Sequence, residues 1–250
     1  MEEWKFQPSR DLGLTATERL GSLRRESGLI ESIGHRIWWA WIGCYLKLFH
    51  RMAVRGRENL PAEAPFVLVA NHSSHLDVFA LASPCPGRLR DRIFPIAAGD
   101  AFFEKVPVAA FAAYALNALP LWRRHCDPRD LEEMRRRLTE EPCAYVLFPE
   151  GTRSRTGEMG PFRRGIGALV ASTLVPVIPC WLEGAFAAFP PQNRFPRPTK
   201  LTLRVGVPLR FPATPNDKAG WTEVASQVEA AVRALRPLGP PAGSPPAPSP

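Results

Sequence analysis

The sequence has little of what marks several common protein classes. Its five cysteines, Cys44, Cys85, Cys126, Cys143 and Cys180, are widely scattered, with no Cys-x-x-Cys pair. That spacing argues against a disulfide scaffold, suggests no structural zinc site and suits a reducing compartment. No Gly-x-Ser-x-Gly elbow occurs, which disfavours a serine hydrolase. The start, Met1-Glu2-Glu3-Trp4, lacks a basic segment followed by an apolar one, so a secretory signal is not expected. The apolar run from Ile37 to Leu46 is interrupted by Lys47. As a helix it covers roughly 15 Å, about half the bilayer hydrocarbon, and should not span a membrane by itself. Internal repeats and nucleic-acid-binding signatures are also missing.

What is present fits one sizeable domain with appendages. The chain has 250 residues, of which 45% are hydrophobic, enough to bury a substantial core. A formal net charge of +8 points to anionic partners: nucleic acid, acidic phospholipid or a phosphorylated small molecule. Residues 1–54 are expected to hold a partly ordered lead-in and an aromatic helix, and residues 55–236 the main domain. In residues 237–250 half the positions are proline and none is charged, so a disordered tail is expected.

Along the chain, strand-like and helix-like segments alternate, an α/β pattern. From residue 29 to about 52, Ile30, Ile33, Ile37, Trp41, Tyr45, Leu48 and Met52 recur at helical spacing. Tryptophans flanked by His35, Arg36, Lys47, His50 and Arg51 suit a helix lying in a membrane interface. Packing on the domain's own core explains the pattern equally well. Strands are expected at 66–70, 93–97, 144–148 and 175–178, with an edge strand at 201–207. A mostly buried helix is expected over 102–119. Amphipathic helices are expected over 127–140, with Arg135-Arg136-Arg137 on a solvated face, and over 221–235.

Two strand ends carry the chemistry. The apolar run Phe66-Val67-Leu68-Val69-Ala70 stops at Asn71-His72-Ser73-Ser74-His75-Leu76-Asp77. Ser74-x-x-Asp77 fits a helix start, with Asp77 capping backbone donors. Positions five apart on a regular helix do not share a face, so His72 must precede the helix to meet Asp77. On such a turn, a carboxylate at one ring nitrogen leaves the other free to take a proton from a hydroxyl. The second strand end, Phe148-Pro149-Glu150-Gly151-Thr152-Arg153-Ser154, presents a carboxylate, a permissive glycine and a guanidinium suited to an anion.

Together these stretches resemble the glycerolipid acyltransferases, the family of lysophosphatidate and glycerol-3-phosphate acyltransferases. Asn71 to Asp77 is similar to that family's Asn-His-x4-Asp block, and Phe148 to Ser154 to its third block without a departure. Asn117-Ala118-Leu119-Pro120-Leu121-Trp122-Arg123 is a looser match to the second block: Arg123 falls on its arginine, while Asn117 replaces a glycine and Pro120 an apolar residue. Phe162 to Gly167 and Val175 to Pro179 resemble the segments that follow.

The resemblance implies an α/β fold with a central, mostly parallel sheet flanked by helices, preceded by an interfacial helix. It implies acyl transfer from acyl-CoA or acyl-carrier protein to the hydroxyl of a lysophospholipid, 1-acylglycerol-3-phosphate before other acceptors such as a lyso-ornithine lipid or glycerol 3-phosphate. His72 would be the general base and Asp77 its orienting partner. Arg123, Glu150, Gly151, Thr152 and Arg153 would bind the glycerol phosphate, and backbone amides near His72 or Gly151 are candidates for the oxyanion. No metal or cofactor is called for. The partners are the two substrates and an anionic membrane surface, not nucleic acid, and the location is peripheral or monotopic on the cytoplasmic face. Three readings compete: a serine hydrolase using Ser73 or Ser74, a metal site at His72, His75 and Asp77, and a non-enzymatic basic membrane-surface or nucleic-acid binder. His75 is expected to be a local structural or solvent-facing residue.

Overall fold

The computed structural model describes residues 13–15, 18, 20, 22–23, 29–99, 105–121 and 128–237. Most of the lead-in, Arg123 and residues 238–250 of the proline-rich tail lie outside the described residues.

The first half of the domain contains α1 (Leu29–Leu48), β1 (Ala53–Arg55), β2 (Phe66–Ala70), α2 (Asp77–Ala82), β3 (Ile93–Ala98), α3 (Val106–Ala110) and β4 (Leu119–Leu121). The second half contains α4 (Pro128–Glu140), β5 (Ala144–Leu147), α5 (Gly165–Val170), β6 (Thr173–Glu183), α6 (Ala185–Ala188), β7 (Thr202–Val205), β8 (Leu209–Phe211) and α7 (Lys218–Ala234). The strands form one sheet in the order β1-β7-β6-β2-β5-β3-β4, with β8 also pairing with β6. From β6 through β4 every pairing is parallel, while β7 and β8 run antiparallel to β6. The fold is therefore α/β with a mostly parallel sheet, as expected.

A central parallel strand covered on both faces needs apolar side chains at successive positions. All five residues of β2 are buried. Phe66, Leu68 and Ala70 join Trp39, Ile42 and Leu46 of α1, Leu81 of α2 and Ala185 of α6. Val67 and Val69 point the other way, toward Met134 and Leu138 of α4, Leu169 of α5, and Val224, Val228 and Val232 of α7. The α5–α7 contact is so close that a Cβ at Gly167 would overlap the Trp221 backbone.

The structure corrects several sequence expectations. Segment 201–207 is not an edge strand, because β1 adds outside β7 with Val54 opposite Leu203. Over 102–119, the described part is the short α3, a single π turn at Phe111–Ala115 and then a strand beginning at Leu119. Nor is that helix mostly buried: Val106, Val108, Phe111 and Tyr114 are exposed. The arginine run is not simply a solvated face. Arg135 donates to the carbonyls of Ala168 and Leu169 at the end of α5. Arg137 is buried over the Phe94 ring and donates to Glu141 and the Leu23 carbonyl. Arg136 alone stays outside, paired with Glu133 and Glu140.

In α1 one face packs on the domain and the other is exposed. Trp39, Ile42 and Leu46 are buried on the domain, whereas Ile33, Ile37, Trp41 and Leu48 of the periodic stripe are exposed. The helix is anchored by His35, whose Nδ1 bonds to Asp91 and whose Nε2 accepts from the Trp39 indole. Among the described residues, no helix is long and apolar enough to cross a membrane.

Candidate active site

The site lies where β2 and β5, adjacent and parallel, reach their carboxyl ends with Val69 opposite Leu147. Ligand sites in open α/β sheets collect at such ends. Beyond β2, Asn71 extends the pairing with β6 by a side-chain imitation of a strand ladder: its Oδ1 accepts from the Leu182 amide at 2.8 Å and its Nδ2 donates to the Leu182 carbonyl at 3.1 Å. The main chain is then free to turn away. His72 stands on that turn, ahead of α2.

Asp77, fully buried, closes the turn. Its Oδ2 accepts from Ser73 N at 2.7 Å and Ser74 N at 2.8 Å and lies 2.8 Å from His72 Nδ1. Asp77 thus holds backbone donors, as the helix-start reading expected, and also faces the imidazole; those donors lie in the turn, and α2 itself begins at Asp77 with Leu76, not Ser74, at its N-cap and no side-chain cap. With Nδ1–H donated to a carboxylate, Nε2 of a neutral His72 is an acceptor. One face of the imidazole is held by Phe148, whose ring stacks on it with centroids 4.0 Å apart and planes 15° from parallel.

Glu150 is buried, and both of its oxygens face backbone amides. Oε1 accepts from His72 N at 2.7 Å and Oε2 from Gly160 N at 2.8 Å. Burial pushes its carboxyl above the usual value, opposed by those two amides and by His72. A return bond from Ser154 N to the His72 carbonyl, 2.8 Å, joins the two loops. Gly151 adopts φ 75°, a left-handed conformation that favours glycine, and a Cβ there would also press on the flexible Arg163 side chain, 2.8 Å from its Nε. The amides of His72, Ser73, Ser74 and Gly151 are all engaged internally, the last with the Phe148 carbonyl.

Arg153 and His75 meet in front of this frame. Arg153 Nη1 lies 2.6 Å from both ring nitrogens of His75, whose ring also packs against Phe189, centroids 4.8 Å apart. Partial burial and then the Arg153 charge hold His75 below the ordinary histidine value. Thr152 is exposed beside them. His75 thus bridges to the second motif loop, and no local pattern couples it to Arg153, which is 78 positions away. Phe148 was legible as a motif residue but not as a partner of His72.

The geometry bears on two of the competing readings, a Ser74 nucleophile and a metal site. Ser74 Oγ donates to the Phe189 carbonyl and accepts from Leu76 N, so its hydrogen is committed away from His72. Among the described residues no group of three or more His, Cys, Asp or Glu side chains could hold a metal. In the loose second block, Asn117 takes φ 56° and donates to the carbonyls of Asp91 and Ile93. Asparagine tolerates the left-handed region, so it can stand where the family has glycine. Pro120 sits in β4, an edge strand, where a missing N–H is tolerated.

A family model described as acyltransferase matches residues 51–183, more than half of the chain. The chain belongs to the acyltransferase family. It is 34% identical over 156 residues to a chloroplastic 1-acyl-sn-glycerol-3-phosphate acyltransferase of Brassica napus, covering 61% of this chain and 42% of that protein. A 1-acyl-sn-glycerol-3-phosphate acyltransferase alpha of Mus musculus is 29% identical over 171 residues, 67% of this chain and 58% of the mouse protein. The chain thus spans about half the length of these curated relatives. The crystal structure of the 1-acyl-sn-glycerophosphate acyltransferase PlsC from Thermotoga maritima superposes with a TM-score of 0.63 at 25% identity, covering 82% of this chain and 78% of that one. The acyltransferase fold expected from the two motif blocks is borne out.

Proposed function

We propose that this acyltransferase moves an acyl group from a thioester, acyl-CoA or acyl-carrier protein, to the free hydroxyl of 1-acylglycerol-3-phosphate, giving phosphatidic acid. The observation that carries the reading is the His72–Asp77 contact of 2.8 Å at the carboxyl end of β2. The names of the relatives favour lysophosphatidate over other acceptors.

In the proposed reaction His72 Nε2 takes the proton of the acceptor hydroxyl as its oxygen attacks the thioester carbonyl. Asp77 holds the ring and stabilises the imidazolium. The tetrahedral intermediate collapses by breaking the C–S bond, and the departing thiolate takes the proton back from Nε2. No acyl-enzyme forms. Arg153 pairs with the acceptor phosphate beside His75, and Thr152 adds a hydroxyl to that rim. Arg123 remains a proposed phosphate ligand outside the described residues. Glu150 acts by holding the His72 amide, and Gly151 by shaping the turn that carries Arg153. The chemistry asks for no metal or cofactor.

We place residues 55–236 as the acyltransferase domain and residues 1–54 as its attachment to the cytoplasmic face of a membrane. The exposed Ile33, Ile37, Trp41 and Leu48 of α1 support a peripheral or monotopic location.

The test is to incubate the purified full chain with acyl-CoA, acyl-carrier-protein thioester and a panel of acceptors. Phosphatidic acid formed from lysophosphatidate is expected; absence of transfer to any acceptor would refute the reading. A labelled acyl group trapped on Ser73 or Ser74 during turnover would overturn direct transfer.

A further inference from the structure

Away from the site, segment 190–200, Pro-Pro-Gln-Asn-Arg-Phe-Pro-Arg-Pro-Thr-Lys, contains no acidic residue. Phe195 at its tip is 79% exposed, and Arg194, Arg197 and Lys200 around it are exposed as well. Among the described residues no acidic side chain pairs with these three cations. A single exposed ring is ordinary on a protein surface; what sets Phe195 apart is its place among three exposed cations, a combination that suits a surface both apolar and anionic.

The exposure is built in. Arg197 N bonds to the Ala188 carbonyl at 2.7 Å, Asn193 N to the Pro190 carbonyl at 3.1 Å, and the Gln192 amide to the Arg155 carbonyl at 3.3 Å. The Thr199 carbonyl accepts from Nδ1 of buried His50 at 3.0 Å, and Leu201 N bonds to the His50 carbonyl at 3.0 Å. Four prolines stiffen the remainder.

The two ends of the segment fix what it connects. At its start, the Phe189 carbonyl accepts from Ser74 Oγ and the Phe189 ring packs on His75, at the rim of the candidate active site. At its end, His50 ties it to the C-terminal end of α1, where Leu48 and Phe49 are exposed beside Lys47 and Arg51. The segment therefore links the active-site rim to the C-terminal end of α1.

We propose that segment 190–200 is a second membrane contact, in which Phe195 enters the interfacial layer while Arg194, Arg197 and Lys200 take anionic lipid headgroups. Positive charge with an interfacial aromatic fits an anionic bilayer and not a neutral one. The inference rests on the proposal that the acceptor is a membrane lipid. It adds that the domain meets the bilayer at the rim of the site as well as through α1, so the acceptor can enter without leaving the interface.

The test uses the full chain with sedimenting vesicles of phosphatidylcholine, with and without phosphatidylglycerol. One variant is Arg194→Gln/Arg197→Gln, a second is Phe195→Ser, and a control, Arg210→Gln/Lys218→Gln, removes the same charge at exposed positions elsewhere. At about fivefold per basic side chain, the double arginine variant should lose roughly 30-fold in partition to anionic vesicles. The Phe195 variant should weaken too, the control should change little, and none should alter turnover of a short-chain, monomeric lysophosphatidate. Partition unchanged in both loop variants, or reduced equally in the control, overturns the inference. Wild-type protein that partitions as expected but does not turn over the monomeric acceptor contradicts the proposed reaction instead, and leaves the vesicle result to decide the membrane contact.

Discussion

One oxygen of Glu150 accepts from the backbone amide of His72 at 2.7 Å, so the third sequence block holds the first from behind. The other oxygen reaches Gly160 N at 2.8 Å. A carboxylate used in this way sets where His72 stands rather than touching substrate. Glu150→Gln would turn an NH2 donor toward one of these two amides. Leaving a buried donor unpaired costs about 1–3 kcal/mol. The expected result is a fall in kcat with little change in KM for the acceptor, together with a lowered Tm. A variant whose KM alone rises would place Glu150 on the substrate instead.

Phe148 offers a second check on the same ring. Its stack on His72, at 4.0 Å, should confine the imidazole to the plane in which Nδ1 meets Asp77. Aromatic pairs contribute about 0.5–1.5 kcal/mol beyond burial, so Phe148→Ala should lower kcat by roughly 2- to 10-fold. Phe148→Tyr should restore most of it. Steady-state kinetics of the two variants decide the point; equal activity in all three proteins would remove Phe148 from the account.

Arg153 should show itself in acceptor binding. Arg153→Gln removes a guanidinium suited to phosphate, an interaction of about 1.5–3 kcal/mol for a charged hydrogen bond. The apparent KM for lysophosphatidate should rise by roughly 10- to 100-fold, with much less effect for an uncharged monoacylglycerol. If both acceptors suffer alike, Arg153 serves the frame and not the phosphate.

His50 gives stability a dependence on pH, and the raised carboxyl of Glu150 acts with the opposite sign at the acid end. Burial holds His50 below the ordinary histidine value of 6.5, against the Thr199 carbonyl, which acts the other way. In the interval between 6.5 and the lowered folded value, the unfolded chain binds more protons than the folded one, so stability falls as pH falls. The slope in that interval is at most about 1.4 kcal/mol per pH unit. His75 is shifted in the same direction, but its ring is exposed and solvent screens its contribution. Urea unfolding at about pH 7.5 and about pH 5.5 should show the loss, and His50→Gln should make it shallower. An identical pH slope in the variant would contradict the assignment.

The two faces of α1 should separate stability from membrane binding. Ile42 is 4% exposed and Ile37 is 68% exposed. Ile42→Ala should cost about 2–5 kcal/mol in denaturant unfolding. Ile37→Ser should leave Tm nearly unchanged and reduce partition to vesicles. A membrane-binding defect in neither variant would remove α1 from the attachment.

The motif-bearing strands were legible because β2 and β5 read as short apolar runs that end in polar turns. His72 and Asp77 could be paired because the blocks around them resemble those of the glycerolipid acyltransferases, and a turn before the helix lets the two side chains meet. What escaped were relationships across the chain. The contact of His75 with Arg153 depends on β2 and β5 being neighbours, which no local period reports. Glu150 looked like a ligand because a carboxylate next to an arginine suggests a binding turn; the amides that claim it belong to His72 and Gly160. The buried role of Arg137 needed Phe94 from β3. The short α3 was overrun because alanines and phenylalanines continue past it, whereas Asn117 at φ 56° turns the chain into β4.

The central claim is that Nε2 of His72, oriented by Asp77, takes the acceptor's proton. It is tested most directly by the single-turnover rate of phosphatidic acid formation in His72→Ala, with folding checked by circular dichroism and Tm. The account predicts a loss of about 100- to 10,000-fold, the usual share of a general base, with secondary structure and acceptor binding retained. A folded His72→Ala protein that transfers acyl groups at close to the wild-type rate would contradict it.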